Sequence, residues 1–234
     1  MHRAPRVAII TTGDELVAPG RRATGRGRIP DSNAVLLAAV VASAGAEIVS
    51  VSRVGDDPPR FLAEVERVVA EASADVVIST GGVSVGAHDP VKAALAPGGR
   101  IAFRTVDMQP GRPQAFGALP SGALFFGLPG NPVSVAVSFE VFVRPAIRAL
   151  QGLPPVASPA REAVVAEGWR PRDERRQYMP VRFDEEGRIR PATGGGSASH
   201  LAGALASAEG FAIVPSGTAE VAAGDILPVL EVSS

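Results

Sequence analysis

The chain has no cysteine among its 234 residues. That absence excludes disulfide frameworks, thiolate metal sites and cysteine nucleophiles together. An excess of charge of one sign is missing as well. Residues 1–150 hold 15 basic and 13 acidic side chains and residues 151–234 hold 8 and 11, for a net charge of -1, so neither portion makes a nucleic-acid patch. Lysine is nearly absent: Lys92 stands against 22 arginines, a compositional bias that makes any single arginine uninformative. No apolar run approaches the roughly 18 residues of a membrane span. Met1 to Arg6 lacks an apolar signal core, so a cytoplasmic protein is expected. What remains is an ordinary globular composition, 46% hydrophobic and 20% charged, long enough for one large domain or a medium domain with a small companion.

Arg6 to Thr11 is a short β-branched run that stops at Gly13, the pattern of a strand buried on both faces. Asp31-Ser32-Asn33 then offers helix caps before Leu36, Leu37, Val40 and Val41, a stripe ended by Gly45. Strand, turn and helix recur over Glu47–Val54, Gly55-Asp56-Asp57-Pro58 and the Phe61, Val65, Val68 face. They recur again over Val76–Ser79, Thr80–Gly86 and a helix capped near Asp89. Three such units predict an α/β fold: a mostly parallel sheet with helices on both faces and a site at the carboxyl ends of its strands.

From Ile101 the pattern changes to short strands, Ile101–Thr105, Gln114–Leu119 and Ala123–Gly127, with some antiparallel pairing expected. Asn131 and Pro132 open a long apolar helix that reaches Leu150, with a bend predicted at Pro145. Gln151–Pro159 reads as a linker, which divides the chain into residues 1–151 and 152–234. The second part has strand candidates at Glu162–Trp169, Gln177–Phe183, Ile189–Ala192, Phe211–Val214 and Ile226–Val232, a small and mostly β domain.

Three loops that follow buried strands carry the small and acidic residues: Thr11–Glu15, Thr80–Gly86 and Gly127–Pro132. In a parallel sheet they converge on one edge. Glycine lets backbone N–H groups approach an anion, so these loops are candidate phosphate cradles. Glu15, Asp56 and Asp89 each sit just past a strand end, and three carboxylates on one rim suit a hard divalent cation, magnesium by preference. Helix capping competes for Asp56 and Asp89, and Asp14 and Asp57 read as caps or turn formers. Glu15 has no such alternative. Arg112, after the Gln109-Pro110-Gly111 turn, could grip a phosphate with its forked donors, or be a solvated surface arginine. His2, His88 and His200 have no partner spacing that suggests catalysis.

Taken in order, five motifs resemble the molybdopterin molybdenumtransferase family. They are Thr12-Gly13-Asp14-Glu15-Leu16, Asp31-Ser32-Asn33, Thr80-Gly81-Gly82-Val83-Ser84-Val85-Gly86 with Asp89, Gln109-Pro110-Gly111-Arg112-Pro113, and Gly127-Leu128-Pro129-Gly130-Asn131-Pro132-Val133-Ser134. The resemblance spans residues 6 to 150, and Gly196-Ser197 with Ala208–Pro215 fits the family's small C-terminal β domain more loosely. It implies insertion of molybdate-derived molybdenum into adenylylated molybdopterin, with magnesium and with release of AMP. By position it makes Glu15, Asp56 and Asp89 the functional acids and Pro129 and Pro132 the paired prolines. The glycine loops, with Ser32, Asn33 and Ser134, become pterin and phosphate contacts. A homodimer and an adenylyltransferase partner are implied too.

Two departures accompany the resemblance. Where family members commonly carry lysines, this chain has Thr105 and Gln109, so the grip on molybdate or phosphate is expected to be weakened or redistributed, with Arg112 the nearest cation. Family members also carry an additional N-terminal half across the dimer interface, whereas this chain begins almost at its first strand, as a fragment or split form would. Other functions compete, a nucleotide-hydrolysing relative with the same domain being the more distant. A related molybdopterin adenylyltransferase is opposed by Thr12–Leu16 and by the extra β domain. A non-catalytic pterin-binding scaffold would follow if half the active site is missing.

Overall fold

The computed structural model describes residues 3–20, 26–83, 89–154, 160–172, 174–192 and 205–232. His2, His88, His200, Ser84, Gly86 and Gly196-Ser197 lie outside them. Strand β1 (Arg6–Thr12) is buried from Val7 onward and leads to a two-strand parallel ribbon of β2 (Leu16–Val17) and β3 (Ile29–Pro30). Helix α1 (Ser32–Ser43) starts at Asp31, whose carboxylate accepts the Ala34 N–H at 3.0 Å and the Thr11 hydroxyl at 2.6 Å. Strand β4 (Glu47–Val54), helix α2 (Pro58–Ala70), strand β5 (Val76–Thr80) and the short helix α3 (Pro90–Leu95) follow. Next come β6 (Ile101–Thr105), β7 (Met108–Gln109), β8 (Pro113–Ala118) and β9 (Leu124–Leu128).

The main sheet runs β4-β1-β5-β9-β8-β6, parallel through the first four strands and antiparallel in the last two. Period-two alternation decides which core each side chain joins. Ala8, Ile10, Val77 and Phe125 face Phe61 and Val65 of α2, while Val7, Ile9, Ile78 and Phe126 face Leu37 and Val41 of α1. Both faces are therefore covered, which explains the unbroken apolar runs of β1 and β5. Each fully buried aromatic or branched side chain contributes about 1.5–3 kcal/mol.

The expected helix does reach Leu150, with its irregularity before Pro145. Helix α4 (Pro132–Ser138) passes through a π-helical segment, Phe139–Val143, before α5 (Arg144–Leu150). Pro145 has no N–H to return to the carbonyl one turn earlier, so the irregularity falls ahead of the proline, not at it. The second sheet contains β10 (Arg161–Val164), β11 (Arg176–Phe183), β12 (Ile189–Pro191), β13 (Gly210–Val214) and β14 (Ile226–Glu231), antiparallel in the order β10-β14-β13-β11-β12. The strand expected to extend to Trp169 ends at Val164, and Val165 and Trp169 persist as isolated bridges to Ile189 and Val221.

The two sheets are joined by a strand too short to be visible in the sequence. Met108 and Gln109 of β7 pair in parallel with Arg176 and Gln177 of β11, while Met108, Ala136 and Val137 pack with Tyr178, Phe211 and Leu230. Among the described residues no helix is long and apolar enough to cross a membrane.

The β11–β12 hairpin closes on Asp184, whose side chain is 3% exposed. Desolvation pushes this carboxyl up, but the Arg188 backbone N–H at 2.8 Å and the Arg188 guanidinium outweigh it and hold the group below the ordinary carboxylate range. A lowered carboxyl stabilises the fold fully above its unfolded value of about 4, and the contribution disappears as pH falls through the lower folded value. Asp184→Asn is therefore expected to destabilise at neutral pH and to flatten the loss of stability below about pH 4. Denaturant midpoints across that window test this, and an unchanged acid limb would contradict it.

Candidate functional site

The carboxyl ends of β1, β4, β5 and β9 open onto one cavity of 680 Å³. Its wall receives Thr12, Gly13 and Glu15 from the β1 end, Asp56 from the β4 end, and Thr80, Gly81 and Gly82 from the β5 end. Gly130, Asn131 and Pro132 come from the β9 end, Ser32 and Asn33 from the start of α1, and Asp89 from the cap of α3. The three acids thus share one cavity, and the loops singled out in the sequence do converge.

Hydrogen bonds between loops hold the wall together. Thr12 donates its hydroxyl to the Thr80 carbonyl at 3.2 Å, and Gly81 N–H reaches the Leu128 carbonyl at 3.1 Å. Asn33, only 7% exposed, donates from Nδ2 to the Gly130 carbonyl at 2.6 Å and to the Thr80 hydroxyl at 3.4 Å. One side chain on α1 therefore ties the ends of β5 and β9.

The acids hold their places by different means. Asp57, not Asp56, caps α2, accepting the Arg60 N–H at 3.2 Å, and this leaves Asp56 exposed on the wall. Asp14 does not line the cavity but steadies Asp56: Asp56 N–H donates to Asp14 Oδ1 at 3.2 Å, and Asp14 N–H donates to Asp56 Oδ2 at 3.4 Å. Asp89 does both jobs, accepting the Lys92 N–H at 3.0 Å as the α3 cap while buried against the cavity. Glu15 is exposed and folds its carboxylate back over Gly13, where an added Cβ would meet Glu15 Oε2 at 2.6 Å. Among the described residues no three acidic or histidine side chains close on a common point. The described part of the wall is not a protein-only metal cage.

Several expected contacts lie elsewhere. Gln109, Pro110, Gly111 and Arg112 belong to the β6–β8 hairpin and are not part of the cavity wall. Gly111 is held from behind, its carbonyl accepting Gln114 Nε2 at 2.7 Å. Pro129, directly after β9, and Ser134, in α4, are buried and do not line the wall either. Sequence reading missed the contributions of Leu16, Ile29, Pro30 and Pro90. Two-residue strands carry no periodicity, so the β2–β3 ribbon had no signal to offer.

Gly81 is a tightly constrained backbone point of the wall. Its φ of +84° favours glycine, and a Cβ there would meet the Thr12 carbonyl oxygen at 2.7 Å. Gly81→Ala is expected to cost about 1–2 kcal/mol from the backbone alone, with the clash displacing the β1 loop and weakening ligand binding. Thermal unfolding and titration of a phosphate probe would check both effects.

Residues 8–149 match the family described as a probable molybdopterin binding domain. The chain belongs to this family. Residues 162–232 match the MoeA C-terminal region, domain IV, so a molybdopterin-binding domain precedes a MoeA-type β region. Molybdopterin molybdenumtransferase 2 of Mycobacterium tuberculosis is 40% identical over 97% of this chain and 56% of its own length. The molybdopterin molybdenumtransferase of Nostoc sp. is 40% identical over 80% of this chain and 39% of its own. The crystal structure of the molybdopterin biosynthesis MoeA protein from Pyrococcus horikosii aligns with TM-score 0.82 and 28% identity, covering 98% of this chain and 55% of that one. The chain therefore spans about half the length of the curated relatives it matches.

Proposed function

We propose that this chain takes part in molybdenum cofactor biosynthesis, inserting molybdate-derived molybdenum into adenylylated molybdopterin with release of AMP. The observation that carries the reading is the convergence of four strand ends, with Glu15, Asp56 and Asp89, on one cavity. Residues 1–151 would hold pterin and phosphates, and residues 152–234 would brace the Gln109–Arg112 hairpin through the β7–β11 pairing. Backbone amides at Gly81 and Gly82 would approach phosphate oxygens, as glycine allows. Asn33 and Thr12 would keep the loops in register, and Ser32 would offer its hydroxyl from the α1 start.

Magnesium takes one or two carboxylates and completes its shell from water and substrate phosphate. The wall fits that mode better than a closed cage. Glu15 and Asp56, with Asp89 behind them, would hold the ion, and it would supply charge neutralisation as the phosphoanhydride to AMP breaks. The MoeA-type C-terminal region weighs against a role as molybdopterin adenylyltransferase, a protein that would instead act as a partner one step earlier. A cytoplasmic homodimer fits this biosynthetic role.

The matched family is described by binding alone, which supports a second reading, a module that holds pterin without turnover. Supplying adenylylated molybdopterin, magnesium and molybdate and following AMP release separates the two. Turnover supports the transferase, and binding without AMP release supports the module.

A further inference from the structure

The cavity has a problem of charge. Its described wall holds three carboxylates and no lysine, arginine or histidine, yet a phosphate-bearing ligand is itself anionic. Beside the magnesium ion proposed above, a protein cation can act only from the rim of this described wall. Arg112 sits on the β6–β8 hairpin, away from the wall. Arg28 does not: it immediately precedes the wall residues Ile29 and Pro30, and the Ile29 N–H bonds to the Glu15 carbonyl at 2.9 Å.

The exposed Arg28 guanidinium donates from Nη1 to the Asp14 carbonyl at 2.6 Å, on the chain between the wall residues Gly13 and Glu15. It takes the carbonyl, while the Asp14 carboxylate accepts the Asp56 N–H. One arm is thereby fixed against the backbone and the positive charge is not spent on that acid. Its other N–H groups are left for a further acceptor, and a planar guanidinium suits forked recognition of a tetrahedral oxyanion.

We propose that Arg28 is the anion-gripping residue of this cavity, holding a phosphate or molybdate oxyanion beside Glu15 and Asp56. The proposal rests on reading the cavity as the site of a phosphate-bearing ligand.

Calorimetric titration of the full chain with AMP, inorganic pyrophosphate and molybdate, each with magnesium, tests it. Arg28→Gln is expected to weaken an oxyanion probe about 10-fold or more, the loss of a charge-assisted hydrogen bond, and Arg28→Lys to recover part of that. Arg100→Gln, on the opposite edge of the sheet, should bind as the unmodified chain does. An effect on AMP and pyrophosphate alone assigns Arg28 to the phosphate, and an effect on molybdate alone assigns it to the free oxyanion. Equal binding by Arg28→Gln and the unmodified chain would overturn the role of Arg28 and leave the cavity's reading intact. Failure of the unmodified chain to bind any of the three would overturn both.

Discussion

Glu15→Gln is expected to lower AMP release by about 100-fold or more, the loss seen when one preorganised electrostatic group is removed from a reacting centre. The substitution is nearly isosteric and removes only charge. Glu15 is exposed, and its carboxylate lies over Gly13 without capping a helix, so stability should stay within about 0.5 kcal/mol. Asp14→Asn should act more weakly, because Asp14 reaches the cavity only by steadying Asp56. Matched melting temperatures with a collapsed AMP-release rate would establish Glu15 as a working group. Turnover that survives in Glu15→Gln would remove the acid from the mechanism. On the proposed magnesium site, binding of pyrophosphate should weaken in parallel only when magnesium is present, because the carboxylate would act on the anion through the cation.

The contrast between Glu15 and Arg112 explains what the sequence could reveal. Glu15 follows directly from a buried strand, and the carboxyl ends of parallel strands must share an edge, so its placement comes from topology alone. The same reasoning located Asp56, Asp89 and the Gly81-Gly82 turn. Arg112 follows an antiparallel strand at the far side of the sheet, where topology no longer says how far a hairpin lies from the site. Its residues are engaged by Gln114 and by the second sheet. The β2–β3 ribbon and β7 failed for another reason. Two residues have no period, and each ribbon exists only because tertiary contacts supply its partner. Arg28 was hidden with them, one more arginine in a chain that has 22. Long-range hydrogen bonds such as Asn33 to Gly130 leave no trace in composition or spacing.

The apolar stretch from Val133 to Val143 conceals the second large effect. Glu140 and Arg144 are 3% and 5% exposed, and they pair through two bonds, Nε to Oε2 at 2.6 Å and Nη2 to Oε1 at 2.8 Å. Arg144 also reaches the Ser43 hydroxyl on α1 at 3.1 Å and lies 5.3 Å from the Phe139 ring centre. The pair therefore spans the π segment and joins the two helices on that face of the sheet. Arg144→Ala leaves a buried carboxylate without its partner, at an expected cost of about 3–5 kcal/mol. For a chain of this length that corresponds to roughly 10 °C in Tm. Replacing both, as Glu140→Leu with Arg144→Met, removes both charges and their desolvation and should recover most of the loss. Thermal unfolding of the single and double variants decides the matter. If the single variant loses less than about 1 kcal/mol, the pair is effectively solvated and the π segment is held by packing alone. A double variant no better than the single would instead make the specific geometry, including the bond to Ser43, the source of stability.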